Sequence, residues 1–446
     1  MDNARKVTVD ILQTIFDKGG YSNIVLNNKL NSIKLDDRDK SLVTEIVYGT
    51  IKYRYTIDKI LCKFLKNGLK NQDSFLLNIL RITIYQMKYL EKIPEFAAVN
   101  EAVELTKKYK SIVASKLVNA VLRNYLRNKN MDFYDKNNKI DELSFVYSFE
   151  PWMVKLFMSQ YGQILCEEIL KGLNKIPSVT IRINDLKISY DEASEKLKNL
   201  GYDIEEGIIC PEAVIIKRGK SIEANPIFAD GEAIVQDESA MLVAPAMSLS
   251  EGMIVLDLCS APGGKTTHIS QIMNNSGKVY AFDIHKDKLN LIEENAKRLG
   301  IRNIQCQHLD ATELKKELKE LADRVLIDVP CSGLGIIRKK PEIKWTKTEA
   351  ELKSIVNIQR KIMSNAAYYV KEGGFLLYST CTLNKKENED NIKWFLNKYK
   401  NYVFEPVFFG NLNNICYSDF GVTILPNEYM DGFFIAKLKK IGQVNI

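Results

Sequence analysis

The sequence is poor in the residues that build metal sites and lacks the runs that cross membranes. It holds three histidines, at 268, 285 and 308, and none flanks a cysteine at the spacing of a zinc ligand set. The eight cysteines, at 62, 166, 210, 259, 306, 331, 381 and 416, include no C-x-x-C pair, so no metal is expected. No apolar run reaches the roughly eighteen residues of a membrane-spanning helix. The opening residues MDNARKVTVDIL alternate polar and apolar types as a helix does, not as a signal peptide does. A cytoplasmic location is the expectation. Glycine and proline are sparse, and no internal repeat or low-complexity tract is present.

What is present begins with length. A chain of 446 residues is too long for one hydrophobic core, so two or three domains are expected. With 46% hydrophobic and 27% charged residues, the composition is that of a globular protein. The net charge of +7 is unevenly placed: residues 1–130 carry 23 Lys/Arg against 13 Asp/Glu, and the remainder 40 against 43. A basic N-terminal third suits contact with a phosphate backbone, although a solvated helical face accounts for the same charges.

Residues 1–130 read as consecutive helices, an all-helical bundle. The most apolar, Phe75–Lys92, is placed at its centre and ended by Pro94; Ala97–Tyr109 and Ser111–Arg127 follow. The polar stretch 128–142 reads as a linker. From 143 to 233, helices (Trp152–Leu173, Tyr190–Leu200) mix with short strands (Val179–Ile183, Val214–Lys217), which predicts a small α+β subdomain. From 234 onward, strands at Ile254–Leu258, Lys278–Asp283, Ile304–Leu309, Arg324–Asp328 and Gly374–Ser379 alternate with helical stretches. That pattern predicts an α/β fold of Rossmann-like type, with a doubly wound, mainly parallel sheet.

The sharpest local signal is VLDLCSAPGGKTT, residues 255–267: an apolar strand, a loop with Pro262, Gly263 and Gly264, then a helix. Glycines at such a turn let the backbone approach a ligand at the carboxyl edge of a parallel sheet. It is not a phosphate-binding P-loop, because Cys259 stands where that motif needs its first glycine. G-x-G-x-x-G is also missing, which weighs against a nicotinamide dehydrogenase. What remains is a loop suited to a zwitterionic nucleoside. The second strand ends in Asp283, 26 residues after Asp257, where an acid commonly holds ribose hydroxyls. The third ends at Asp310, placed for an adenine edge. Any one of these acids could be a turn or a cap; three in order around one glycine loop point to a site.

Two later strands end in thiols, LIDVPCSG (326–333) and LYSTCT (377–382). Enzymes that methylate exocyclic amines commonly carry Asp/Asn-Pro-Pro-aromatic at the first of these positions; here it is Asp328-Val329-Pro330-Cys331. Carbon 5 of a pyrimidine is too weak a nucleophile to attack a sulfonium methyl. A thiolate adding to C6 makes an enamine, whose C5 can attack. Cytosine needs help at N3, and Asp328 is the candidate to give it. One nucleophile is required and two thiols, Cys331 and Cys381, are offered. Cys62, Cys166, Cys210, Cys306 and Cys416 read as buried, inert sulfur.

These segments resemble a known family. DLCSAPGGKT (257–266), DVPCSG (328–333), IIRKKPEIKW (336–345) and GGFLLYSTCTLNKKENE (373–389), with QDESA (236–240) ahead of them, resemble the RNA cytosine-C5 methyltransferases of the Nop2/Sun group. RDKSLVTEIVYGTIKYRYTID (38–58) and residues 79–126 resemble the NusB-like RNA-binding domain. Over nearly the whole chain, the combination is similar to the RsmB (Sun/Fmu) family of bacterial 16S rRNA cytosine-C5 methyltransferases.

The resemblance implies S-adenosyl-L-methionine as cofactor, held by Cys259, Ser260, Ala261, Pro262, Gly263, Gly264, Lys265, Asp283, Asp310 and Asp328. It assigns the nucleophile to Cys381 and product release to Cys331, whereas DNA cytosine methyltransferases attack with the Pro-Cys thiol. Ser260 stands where Ala is usual and Thr382 where Ser is usual, both small changes. The implied domains are NusB-like (1–130), RNA-positioning (143–233) and methyltransferase (234–446). The implied partner is 16S ribosomal RNA, with a monomer and no membrane expected. A non-enzymatic RNA-binding factor would share the helical region but has no use for the thiol pair and the cofactor loop. Methylation of tRNA or another RNA by the same chemistry is an alternative that the catalytic half leaves open.

Overall fold

The computed structural model describes residues 3–66, 68–219, 222 and 225–442. The chain forms two compact units, residues 1–174 with 337–347, and residues 175–336 with 348–446.

The first unit is helical among its described residues: α1 (Ala4–Lys18), α2 (Ser22–Ser32), α3 (Asp37–Lys52), α4 (Arg54–Phe64), α5 (Ser74–Tyr89), α6 (Glu95–Tyr109), α7 (Ile112–Arg127), α8 (Lys139–Tyr147) and α9 (Pro151–Leu173). Asn3 starts α1 by accepting from the Arg5 and Lys6 N–H groups, and Gly19, at φ 71°, stops it. The central helix is α5, as its apolar density predicts. Its Phe75, Ile79, Ile82 and Tyr85 share one core with Leu12 of α1, Ile46 of α3 and Val121 of α7. Gly49 of α3 admits the Tyr85 ring, since a Cβ there would stand 1.9 Å from Tyr85 Cζ. The Tyr85 hydroxyl then donates to Glu45 at 2.6 Å.

Three features of this unit depart from the sequence expectation. α8 begins at Lys139, inside the stretch read as linker, because Asn138 caps it and Leu143 and Phe145 are buried. α8 packs on α4 of the bundle and α9 packs on α8; Phe145 belongs to the bundle core. The expected single helix Trp152–Leu173 is broken at Gly162, which adopts φ 78° and ψ 172°. Finally, residues 337–347 belong to the helical unit although their neighbours in sequence belong to the sheet. Trp345 Nε1 donates to Ile51 O at 2.8 Å, and Glu342 accepts from Ser22 Oγ at 2.7 Å. The fully buried Lys344 ammonium donates to Lys52 O (3.0 Å), Ser148 O (3.0 Å) and Asn174 Oδ1 (2.8 Å), and faces the Phe149 ring at 3.7 Å. No carboxylate is among these partners; burial, then the Lys52 charge, holds Lys344 well below the usual lysine range.

The second unit holds two sheets. β1 (Val179–Ile183), β2 (Asp203–Glu206), β3 (Ala213–Arg218) and β4 (Ala233–Val235) pair antiparallel in the order β2-β3-β1-β4, a small α+β layer with the helix Tyr190–Asn199. The large sheet comprises β5 (Ile254–Asp257), β6 (Lys278–Asp283), β7 (Ile304–His308), β8 (Ala322–Asp328), β9 (Val370–Thr380), β10 (Tyr402–Glu405), β11 (Ile415–Ser418), β12 (Gly421–Ile424) and β13 (Phe433–Lys440). Its order is β11-β12-β13-β9-β8-β5-β6-β7, with β10 pairing β13. β5 to β9 run parallel, as the Rossmann-like reading predicts, and β13 runs antiparallel to β9. From β5 the chain moves outward to β7, then returns to β8 on the other side. This reversal leaves a crevice at the carboxyl ends of β5 and β8, where open α/β sheets bind ligands.

Candidate active site

All the acids and thiols singled out by sequence arrive at that carboxyl edge. Parallel register sets them side by side: Asp283 of β6 pairs with His308 of β7, two residues before Asp310, and Asp328 of β8 pairs with Ser379 of β9. Between β5 and the helix Gly264–Ile272 lies the glycine loop. Ser260 N–H and Oγ both donate to Phe282 O, at 2.9 and 2.8 Å, which ties the loop to β6. Gly263, at φ 100°, turns the chain into the helix, and a Cβ there would press on Ile292 at 3.1 Å. Asp283 accepts from the Ala261 N–H (3.2 Å) and the His285 N–H (2.9 Å). Asp310 accepts from the Thr312 N–H and Oγ1, bonds that hold it below the usual carboxylate range.

These carboxylates converge on one point. Burial, then the charges of Asp257, Asp328, Asp283 and Asp310, drives the half-buried Cys259 thiol well above its ordinary range. Asp257 lies beneath the loop. It accepts from Thr266 Oγ1 at 2.7 Å, while its Oδ1 is buried without a hydrogen-bond partner among the described residues. Burial lifts its pKa to about 7. Lys265 brings a charge to the loop: its ammonium pairs with Asp328 Oδ2 at 2.7 Å. Burial lowers the Lys265 pKa, but Asp328 and then the Cys381 sulfur more than offset it, so the lysine ends above its usual range.

Cys331, three residues past β8, and Cys381, just past β9, bring their sulfurs to 3.1 Å. The hydrogen bond to Cys381, then burial, pushes the Cys331 thiol well above its ordinary range. Asp328 stands beside it with both oxygens occupied: Lys265 on Oδ2, and Ser379 Oγ on Oδ1 at 2.7 Å. Of the five cysteines read as buried sulfur, Cys166 and Cys210 are buried, Cys306 and Cys416 half-buried, and Cys62 is exposed on the outer side of α4.

Two supporting side chains escaped the sequence reading. Glu387 is fully buried and accepts from Ser332 N–H (2.9 Å), Ser332 Oγ (2.5 Å), Gln359 Nε2 (3.0 Å) and Asn384 Nδ2 (3.0 Å). It clamps the loop after β8 to the loop after β9, so it fixes where the two thiols meet. The backbone adds to this clamp: Gly335 N–H donates to Cys381 O, and Gly432 N–H donates to Gly335 O, both at 2.9 Å. Arg182 of β1 is fully buried and donates to Gly264 O (2.8 Å), Thr267 Oγ1 (3.1 Å), Gln271 (3.1 Å) and Gln236. It thereby anchors the first turn of the cofactor helix to the small sheet. A lone charge in the apolar strand VTIRI was the available signal for Arg182; Glu387 lay within the ENE run without a feature to set it apart.

Comparison with known proteins agrees with this architecture. Residues 244–439 match the model of the 16S rRNA methyltransferase RsmB/F domain, residues 2–127 that of the NusB family, and residues 149–223 that of the RsmF/B-like ferredoxin-like domain. The chain is 35% identical over 445 residues to the "Probable ribosomal RNA small subunit methyltransferase B" of Bacillus subtilis, covering 99% of each chain. It is 35% identical to the protein of the same name from Synechocystis, covering 99% of this chain and 100% of that one. The crystal structure of PH0851 superposes with a TM-score of 0.83 at 26% identity, covering 99% of both chains. With its helical, ferredoxin-like and methyltransferase regions all matched and its relatives alike from end to end, the chain belongs to the ribosomal RNA small subunit methyltransferase B family.

Proposed function

We propose that this protein transfers a methyl group from S-adenosyl-L-methionine to C5 of a cytosine in 16S ribosomal RNA through a covalent bond between Cys381 and C6. The observation that carries the reading is the 3.1 Å approach of two free thiols beside Asp328, on the same sheet edge as the glycine loop. The choice of rRNA is supported by the names of the relatives and of the matched domain, and by the NusB match over residues 2–127.

S-adenosyl-L-methionine suits the residues present. It is cationic at sulfur and nitrogen, and four carboxylates surround the Cys259 loop. Asp283 and Asp328 stand on either side of that loop, one accepting from the Ala261 N–H and the other from the Lys265 ammonium. Asp283 would hold the ribose hydroxyls, Asp310 the adenine edge, and Cys259–Lys265 with Asp328 the rest. When bound, the cofactor supplies an electrophilic methyl on sulfur.

The protein supplies the remaining chemistry. Cys381 adds to C6 of cytosine as the thiolate, the nucleophilic form of a thiol. Asp328, fixed by Lys265 and Ser379, accepts a hydrogen bond from N3 once N3 takes a proton from solvent, which makes C6 electrophilic. C5 is then an enamine carbon and takes the methyl. Removal of the C5 proton by a base and departure of the Cys381 sulfur restore the ring. Cys331, whose sulfur stands 3.1 Å from that of Cys381, can donate a proton to it as it leaves. Bisulfite sequencing of rRNA and tRNA, with and without the gene, tests the substrate. A protected 16S cytosine that disappears with the gene and returns on complementation is expected; loss of protection only in tRNA would overturn the assignment.

A further inference from the structure

Between α6 and α7 runs a groove of about 680 Å³, within the helical unit. Phe96, in the first turn of α6, borders it and is 78% exposed. A lone exposed aromatic is ordinary; its surroundings here are not. Arg123 and Arg127, four residues apart on α7, line the same groove with Asn100, Asn119 and Leu126, and among the described residues no acidic side chain lines it. Three nearby cations are neutralised: Arg5 by Glu101 (2.8 Å), Lys110 by Asp73 (2.7 Å) and Lys129 by Glu95 (3.0 Å). Among the described residues, Arg123 bonds only to Asn119 Oδ1 (3.0 Å), and the Arg127 guanidinium has no ion pair or hydrogen bond. The groove on the other side of Phe96 carries Glu101 and Glu104 beside Lys108, so a polyanion is directed to the α7 side.

We propose that this groove binds an unpaired segment of the RNA substrate, with one base stacked on Phe96 and its flanking phosphates on Arg123 and Arg127. An exposed ring next to unmatched guanidiniums is the pairing that holds single strands, because every base offers a π-face and every linkage a charge. The Asn100 and Asn119 amides offer a donor and an acceptor each to a base edge. A duplex cannot use the ring, since its bases are already stacked. The inference rests on the methyltransferase reading only for the identity of the polymer.

The test compares full-length wild type, Phe96→Ala, Phe96→Trp and the double variant Arg123→Gln/Arg127→Gln by anisotropy, on a labelled short single-stranded RNA and on its duplex. Phe96→Ala removes an exposed side chain, so folding should be intact, which a thermal melt checks. It should weaken single-strand binding at least about fivefold, and Phe96→Trp should restore it. The double variant should flatten the salt dependence of log affinity by about one to two units. In methyl-transfer assays Phe96→Ala should raise KM for RNA and leave kcat unchanged. Equal single-strand affinity for Phe96→Ala and wild type, or equal losses on duplex and single strand, would overturn the groove. Capture of a protein by the groove with no change in RNA affinity would overturn it equally. Since transfer is read in the same samples, unchanged affinity with methylation intact marks failure of the groove alone. Affinity lost as expected without any methylation supports the groove and marks failure of the activity.

Discussion

Glu387→Gln isolates the clamp between the two thiol loops. The substitution keeps size and shape but replaces one carboxylate oxygen by an NH2 group. Oε1 accepts from Ser332 Oγ and Asn384, and Oε2 from Ser332 N–H and Gln359. Whichever way the amide turns, two of these donors meet a donor. A hydrogen bond to a charged group contributes about 1.5–3 kcal/mol, so the loss is roughly 3–6 kcal/mol before relaxation. Relaxation should leave about 3 kcal/mol of destabilisation, a large share of the roughly 5–15 kcal/mol of a typical fold but not all of it. Urea unfolding reads the stability. With the enzyme folded, adduct formation should fall by at least about tenfold, because small misplacements of reacting groups are costly. S-adenosyl-L-methionine affinity should stay within about twofold, since none of the four donors touches the glycine loop. A glutamine variant as stable and as reactive as wild type would refute the clamp.

Three further outcomes follow. Asp283→Ala should weaken S-adenosyl-L-methionine at least about tenfold by calorimetry, the loss expected for one or two charge-assisted hydrogen bonds; an unchanged dissociation constant in the folded variant would remove Asp283 from the site. Gly335→Ala places a Cβ 2.0 Å from Gly432 O and 2.8 Å from Cys381 O, so the thiol loops must part and methyl transfer should be lost. A fully active Gly335→Ala enzyme would contradict that contact. Burial, then Arg182, depresses His268 to about 4. The unfolded histidine titrates near 6.5, so the unfolded state takes up the proton first. Stability should therefore fall as pH drops from about 6.5 to 4, by up to roughly 3 kcal/mol, and His268→Gln should lose that slope. A wild-type profile flat across this window would contradict the depressed pKa.

The sheet edge was legible because its physics is local. Strands buried on both faces are apolar runs, and the acid or thiol that ends each run stands out; Lys278–Asp283 was read to the residue. The ring of carboxylates and the thiol pair then followed from one rule, that parallel strands end on the same side. What was not legible depends on distant partners. Lys344 looks like a surface lysine in KKPEIKW, yet its acceptors lie 170 to 292 residues away. Glu387 draws donors from three separate segments, and no spacing announces that. Gly162 is a lone glycine in a helical pattern, a feature helices often tolerate, and here it breaks one. The antiparallel strands β10 to β13 went unread because three of them are only four residues long.

The central claim is that Cys381 bonds to the base and Cys331 helps it leave, and trapping the adduct tests it most directly. Cys381→Ala and Cys331→Ala are each incubated with rRNA and S-adenosyl-L-methionine, then run on a denaturing gel. Addition precedes methyl transfer and elimination follows it, so the two variants should fail at opposite ends of the cycle. Cys331→Ala should accumulate a slow protein–RNA band containing methylated RNA, and Cys381→Ala should show none while still binding the cofactor. A band with Cys381→Ala and none with Cys331→Ala would reverse the two roles, and full activity in both variants would contradict covalent catalysis by these thiols altogether.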